Sequence, residues 1–177
     1  MRRTSCSSSI TESKALASVH LTRIYHFSAA HRLHSPLLSE AENCEVYGKC
    51  NNPHGHGHDY TLEVTVCGPL DGTTGRLLPL DALDRLVRTT VLDGMDRRNL
   101  NIEVEEFASM VPTTENLAIV IARRLQDAWH VALAGRPVRL EKVKIHETRR
   151  NIFEVRVKDL PDQLCEIQAA AATSTRR

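Results

Sequence analysis

The sequence predicts an α+β domain in which two helices cover one face of a four-stranded antiparallel sheet. Three observations lead there. Apolar residues alternate with period two over residues 21–31 and 56–67; they recur with helical spacing over 80–91 and 113–133; and two further short strand-like segments close the pattern around a polar turn. The order strand, strand, helix, helix, strand, strand segregates the two kinds of element as α+β domains do.

Taken in order, the first segment puts Tyr25, Phe27, Ala29 and His31 on one parity and Ile24, His26 and Ser28 on the other, so His31 ends a strand beside an apolar row. Residues 32–55 carry Pro36, Gly48, Pro53 and Gly55 with little periodicity and read as one long connection, which in a compact domain is often functional. From His56 to Cys67 the alternation is the cleanest in the chain, with His56 and His58 sharing the parity of Tyr60, Leu62, Val64 and Val66. Turn chemistry over 68–75 leads to Leu83, Leu86, Val87 and Val91 at helical spacing, the first helix. After an irregular stretch over 93–112, Thr113-Thr114 supplies an N-cap signal ahead of Leu117, Ile121, Leu125 and Trp129, the second helix. Residues 138–145 and 152–157, joined by Thr148-Arg149-Arg150-Asn151, form a hairpin. Such a sheet leaves two edges open, and open edges need a partner or a shield, so oligomerisation is expected.

Composition narrows the function classes. The 177 residues carry 23 Lys+Arg against 22 Asp+Glu, a formal charge of +1, with 41% hydrophobic residues. That describes one globular domain with a sizeable core and no global attraction for nucleic acid or an anionic bilayer. No apolar stretch approaches the roughly 20 residues of a membrane span. The five cysteines are odd in number and scattered, which favours a reducing compartment. Residues 1–20 are Arg/Ser-rich without the apolar run of a secretory signal, and so read as a flexible extension; a cytoplasmic location is expected, with a mitochondrial transit segment as the alternative, against which Glu12 counts. The domain is expected over 21–158, with a C-terminal tail over 159–177.

Histidine is the uneven part of the composition: His20, His26, His31, His34, His54, His56 and His58 are seven of the nine in the chain. His56 and His58, two apart in a strand, send both imidazoles to one face about 7 Å apart along the backbone. His31, ending another strand, completes a set of three nitrogens, the ligand count of a catalytic zinc that keeps one position open. The competing reading is a flexible histidine-rich turn and a capped surface His31.

Four stretches carry a more specific signal: Phe27-Ser-Ala-Ala-His31-Arg32-Leu33, Tyr47-Gly-Lys-Cys50-Asn-Asn-Pro-His-Gly-His56-Gly-His58-Asp-Tyr60, Pro112-Thr-Thr-Glu115-Asn116 and Ile145-His-Glu147-Thr148. Together they resemble the motifs of the 6-pyruvoyltetrahydropterin synthase family, in register from about Ile24 to Val157. The resemblance implies a tunnelling fold (T-fold), trimers closing their sheets into a β-barrel, a homohexamer of two stacked trimers, and active sites at subunit interfaces. It implies one Zn2+ per subunit on His31, His56 and His58, with Mg2+ on the substrate triphosphate as a further option. The implied reaction converts 7,8-dihydroneopterin triphosphate to 6-pyruvoyltetrahydropterin with release of triphosphate, in tetrahydrobiopterin biosynthesis.

The same resemblance assigns the other residues. Cys50 maps onto the proton-abstracting cysteine, which needs cationic or donor groups to hold a thiolate; read without the family it is a small buried apolar residue. Glu147 maps onto the carboxylate that anchors the pterin, or simply closes a hairpin. Thr114 and Glu115 are either pterin contacts or ordinary helix N-terminal residues. Asp96 is kept, but Arg97 stands where the family has its relay histidine, and an arginine stays charged and shuttles no proton near neutral pH. Three outcomes stay open: His54 supplies the missing imidazole, Arg97 stabilises the Cys50 thiolate while water protonates, or the product changes, as in a hydroxymethylpterin-forming relative. The rivals are 6-carboxytetrahydropterin synthase, whose Cys-x-x-x-His-Gly-His spacing is shorter than the one from Cys50 to His56, and a weakly active zinc- and pterin-binding relative.

Overall fold

The structure, a computed structural model, describes residues 17–160. Its elements are β1 (Ser18–His31), α1 (Glu40–Tyr47), β2 (His56–Pro69), α2 (Leu80–Val87), α3 (Asp93–Met95), β3 (Arg98–Asn99), α4 (Leu100–Glu103), α5 (Thr114–Ala132), β4 (Arg139–His146) and β5 (Ile152–Arg156). The four expected strands are present, but the sheet has five, in the order β3-β1-β2-β4-β5. The addition is the two-residue β3, parallel to β1, too short to leave any alternation in the sequence. β1 begins at Ser18, so Ser18, Val19 and His20 belong to the sheet and not to an extension. The rest of the expected N-terminal extension, with the transit alternative, and the tail beyond Leu160 lie outside the described residues.

The β1–β2 ladder runs without a break from Ser18 opposite Pro69 to His31 opposite His56. The parity read from the sequence sets what each face does. Phe27, Ala29, Tyr60, Leu62, Val64, Val66, Val143 and Ile145 are buried against the helices, and each Val, Leu, Ile or Phe among them contributes roughly 1.5–3 kcal/mol by leaving water. The opposite face is polar: Glu63 pairs with His146 and Lys144, and Lys142 with Glu154.

Helix α2 buries Leu83, Leu86 and Val87 and is joined to β1 where Arg23 and the Tyr25 hydroxyl both donate to Asp84. The chain stays helical beyond the expected end at Val91, through a π turn at Arg88–Leu92 into α3. Helix α5 buries Leu117, Ile121, Leu125 and Trp129, as its spacing requires, and the Trp129 indole donates to the Val138 carbonyl at 3.0 Å. The long connection over 32–55 contains a helix the periodicity does not show. In α1 only Asn43 is buried, so no apolar stripe exists to be read; the helix is nucleated by a reciprocal cap between Ser39 and Glu42. Among the described residues no helix is long and apolar enough to cross a membrane.

Candidate active site

The end of the β1–β2 ladder brings His31, His56 and His58 together. One nitrogen from each lies within 4.8 Å of the other two, and ring centroids are 4.6 Å (His31–His56), 4.8 Å (His56–His58) and 5.2 Å (His31–His58) apart. Register does most of this: His31 is the cross-strand partner of His56, and Ala29 that of His58. The close approach rests on Gly55. It has φ +69°, and a Cβ there would stand 2.9 Å from the His31 carbonyl oxygen. Gly57, between the two histidines, carries no such restriction, since its Cβ would meet only the Ala29 carbonyl at 3.6 Å.

His31 is oriented from behind. Its Nδ1–H donates to the Pro112 carbonyl at 2.8 Å, a group that can only accept, so Nε2 carries the free lone pair and faces His56 Nε2 at 3.2 Å. Burial, and then the two facing imidazoles, pushes the His31 ring down to about 4, and burial likewise lowers His56. Imidazoles converging by their nitrogens with one ring fixed by a backbone carbonyl are the arrangement of a histidine metal site. Nδ1 of His56 is buried without a hydrogen-bond partner.

Glu147 stands beside the trio, Oε1 3.8 Å from His58 Nε2. The buried Thr114 hydroxyl donates to Oε1 at 2.5 Å and the Asn151 amide to Oε2 at 3.2 Å. Burial pushes this carboxyl up, but those two hydrogen bonds and the facing His58 and His31 outweigh it, leaving Glu147 below the ordinary carboxylate range. Cys50 is half-buried on the 3-10 turn Gly48–Asn51, which is tied to the end of β1 by a bond from Leu33 N–H to the Cys50 carbonyl at 2.9 Å. The turn also carries Lys49, whose charge acts on His56. Parity places Tyr60 in the core row, yet its buried hydroxyl lacks a partner of hydrogen-bonding geometry and lies among Glu147, Thr114 and Cys50. Tyrosine, unlike its neighbours Leu62 and Val64, brings a polar tip to an apolar row, and that was the available signal.

Other expected site residues are not gathered here. His54 is exposed in the turn before β2, its N–H held by Asn52, and its ring is outside the cluster. Glu115 is exposed in the first turn of α5, whereas its neighbour Thr114 points inward. Asp96 Oδ1 accepts from Ser28 N–H at 2.9 Å, and Arg97 N–H donates to the Ser28 carbonyl at 2.6 Å. This clasp holds Arg97 at φ 59° with its side chain 90% exposed, 3.8 Å from Asp96. Arg97 lines a cavity of about 520 Å³ together with Ser28, Gly57, Asp59 and His58.

The family described as 6-pyruvoyl tetrahydropterin synthase matches residues 20–158. The 6-pyruvoyl tetrahydrobiopterin synthase of Drosophila melanogaster is 51% identical over 136 residues, 77% of this chain and 78% of its own length. The human protein of that name is 42% identical over 132 residues, covering 75% of this chain and 87% of its own. The solved structure of Caenorhabditis elegans 6-pyruvoyl tetrahydropterin synthase superposes with a TM-score of 0.72 at 42% identity, over 80% of this chain and 96% of that one. With its fold, its ladder-end histidines and these relatives in agreement, this chain belongs to the 6-pyruvoyl tetrahydropterin synthase family.

Proposed function

We propose that this protein is a zinc-dependent lyase that converts 7,8-dihydroneopterin triphosphate to 6-pyruvoyltetrahydropterin and releases triphosphate. The observation that carries the reading is the convergence of three imidazoles beside a hydrogen-bonded carboxylate and a half-buried thiol. His31, His56 and His58 fit zinc by donor type, by number and by the buried, unprotonated state of His31. When bound, zinc supplies Lewis-acid polarisation of the substrate's side-chain oxygens. Among the described residues neither group of candidate donors is an all-oxygen site of the kind Mg2+ takes, so Mg2+ would arrive with the triphosphate.

In this reading Glu147 accepts hydrogen bonds from the 2-amino and N3 positions of the pterin, and Thr114 and Asn151 hold its two oxygens in place. Cys50 takes a proton from a side-chain carbon that bears a hydroxyl, with Lys49 beside it on the same turn. Asp96 and Arg97 are clasped to β1 at Ser28, and the Arg97 side chain is exposed, so they would be free to serve a neighbouring copy's site. That agrees with a homo-oligomer built through the open sheet edges, which we propose to be a dimer of trimers with barrel-forming sheets. The proposed domain covers residues 21–158, extended to Ser18 by the start of β1, and the proposed location is the cytoplasm.

The exposed Arg97 favours one second reading, a family member that binds the substrate but turns it over slowly. Incubation with 7,8-dihydroneopterin triphosphate, with triphosphate release and mass spectrometry of the pterin, decides between them. A stoichiometric 6-pyruvoyl product is expected. Binding without triphosphate release in the natural chain, restored by Arg97→His, would overturn the synthase assignment.

A further inference from the structure

At the other end of the β1–β2 ladder His20 stands directly across from Cys67. Both have the parity opposite to the three histidines, so they face the polar side of the sheet. In the next strand Thr65 pairs with Lys142 and Val66 with Leu140, leaving Glu141 as the extra residue of a β-bulge. Regular alternation would give Glu141 the parity of Val143 and Ile145 and drive a carboxylate into the core. The bulge re-aims it to the polar face, next to Cys67. Three neighbouring strands thus deliver an imidazole, a thiol and a carboxylate to one spot.

The donor atoms of His20, Cys67 and Glu141 lie within 4.8 Å of one another, with His20 Nδ1 3.1 Å from Glu141 Oε2. Despite that approach, Oε2 is buried and makes no hydrogen bond of good geometry. Cys67 is a free cysteine, fully buried by the sheet. Ligand atoms around a tetrahedral zinc are roughly 3.3–3.8 Å apart, given bonds of about 2.0–2.3 Å. Donors within 4.8 Å of one another are close to that spacing, and the His20 side chain, 54% exposed, has room to change rotamer toward it.

The geometry points to a second metal site on His20, Cys67 and Glu141, for a divalent transition ion of the zinc type, with a fourth position left for water. A mixed nitrogen, sulfur and oxygen set disfavours Mg2+ and Ca2+. Its position on the face opposite the three histidines makes it independent of the pterin chemistry; an ion there would cross-link β1, β2 and β4 and stabilise the sheet by mass action.

The test loads the full-length protein with Co2+. Two equivalents per chain are expected, with an intense near-ultraviolet thiolate-to-cobalt band. His20→Ala and Cys67→Ser each reduce binding to one equivalent and abolish the band, while Cys50→Ser keeps it and pterin turnover by the His20→Ala protein is unchanged. His56→Ala keeps the band at one equivalent. Because His20 lies at the surface, its variant retains the fold if Cys67→Ser does not. Saturation at one equivalent, or a second equivalent and band that survive His20→Ala, overturns the site.

Discussion

The two ends of the β1–β2 ladder each gather three potential ligands, on opposite faces of one sheet, and they differ in what holds the ligands. At the His31 end His31 is buried, a backbone carbonyl fixes its ring, and Glu147 stands behind another with its own hydrogen bonds in place. At the His20 end one donor is largely in solvent and another reaches the spot through a bulge. Register pairs His31 with His56 at one end and His20 with Cys67 at the other, and Glu141 needs its bulge as well. Burial and an outer hydrogen bond are what keep His31 unprotonated and oriented before a ligand arrives.

The largest effect expected from breaking that contrast is His56→Ala, which removes a central ligand. Turnover should fall about a thousandfold or more, the several kcal/mol a catalytic metal contributes, and zinc content by elemental analysis should fall with it. Full turnover by a zinc-free His56→Ala protein would refute the role. Next is Glu147→Gln. Losing a charged acceptor for the substrate should lower kcat/KM about 10- to 100-fold, mostly through KM, while zinc stays bound; loss of zinc instead would make Glu147 an outer support of the metal and not the pterin anchor.

The difference between the ends also explains what could be read from sequence. Parity along residues 21–31 and 56–67 placed the three histidines on one face, because a buried ladder obeys strict alternation. Glu141 follows no such rule: its face is set by a bulge, which alternation cannot reveal. Helix α1 escaped for want of an apolar stripe, although Ser39 and Glu42 were a legible cap. β3 escaped because two residues hold no period, and with it went the clasp that turns Asp96 and Arg97 outward. His54, adjacent in sequence to the key residues, was attractive for that adjacency alone, and an exposed turn separates it from them.

Gly55→Ala probes the same end at smaller cost. The positive φ and the 2.9 Å approach to the His31 carbonyl should together cost about 1–3 kcal/mol in urea unfolding and weaken zinc binding measurably, as β2 is pushed away from β1. Gly57→Ala, two residues on, should keep native zinc affinity, since only an ordinary 3.6 Å contact awaits its Cβ. Equal zinc affinities in the two variants would show that Gly55 does not position the site.

The smallest effect tests how far the support of the histidine end extends. Arg124 of α5 holds both oxygens of Glu106 at 2.6 Å, anchoring the segment that leads to Pro112 and its carbonyl. The Arg124 hydrogen bonds lower the Glu106 carboxyl below its ordinary value, against burial, which raises it. A carboxyl depressed on folding stabilises the native state above its unfolded value and loses that contribution as pH falls through the folded one. Glu106→Gln should therefore cost about 1 kcal/mol at neutral pH, in the range of a partly exposed charged pair, and the deficit should shrink below about pH 4. Urea unfolding of both proteins across that range measures it. Zinc affinity should not move, because His31 and Pro112 are also held by the packing of β1 and α5; a parallel loss of zinc would mean that this ion pair, and not the buried core, keeps the Pro112 carbonyl in place.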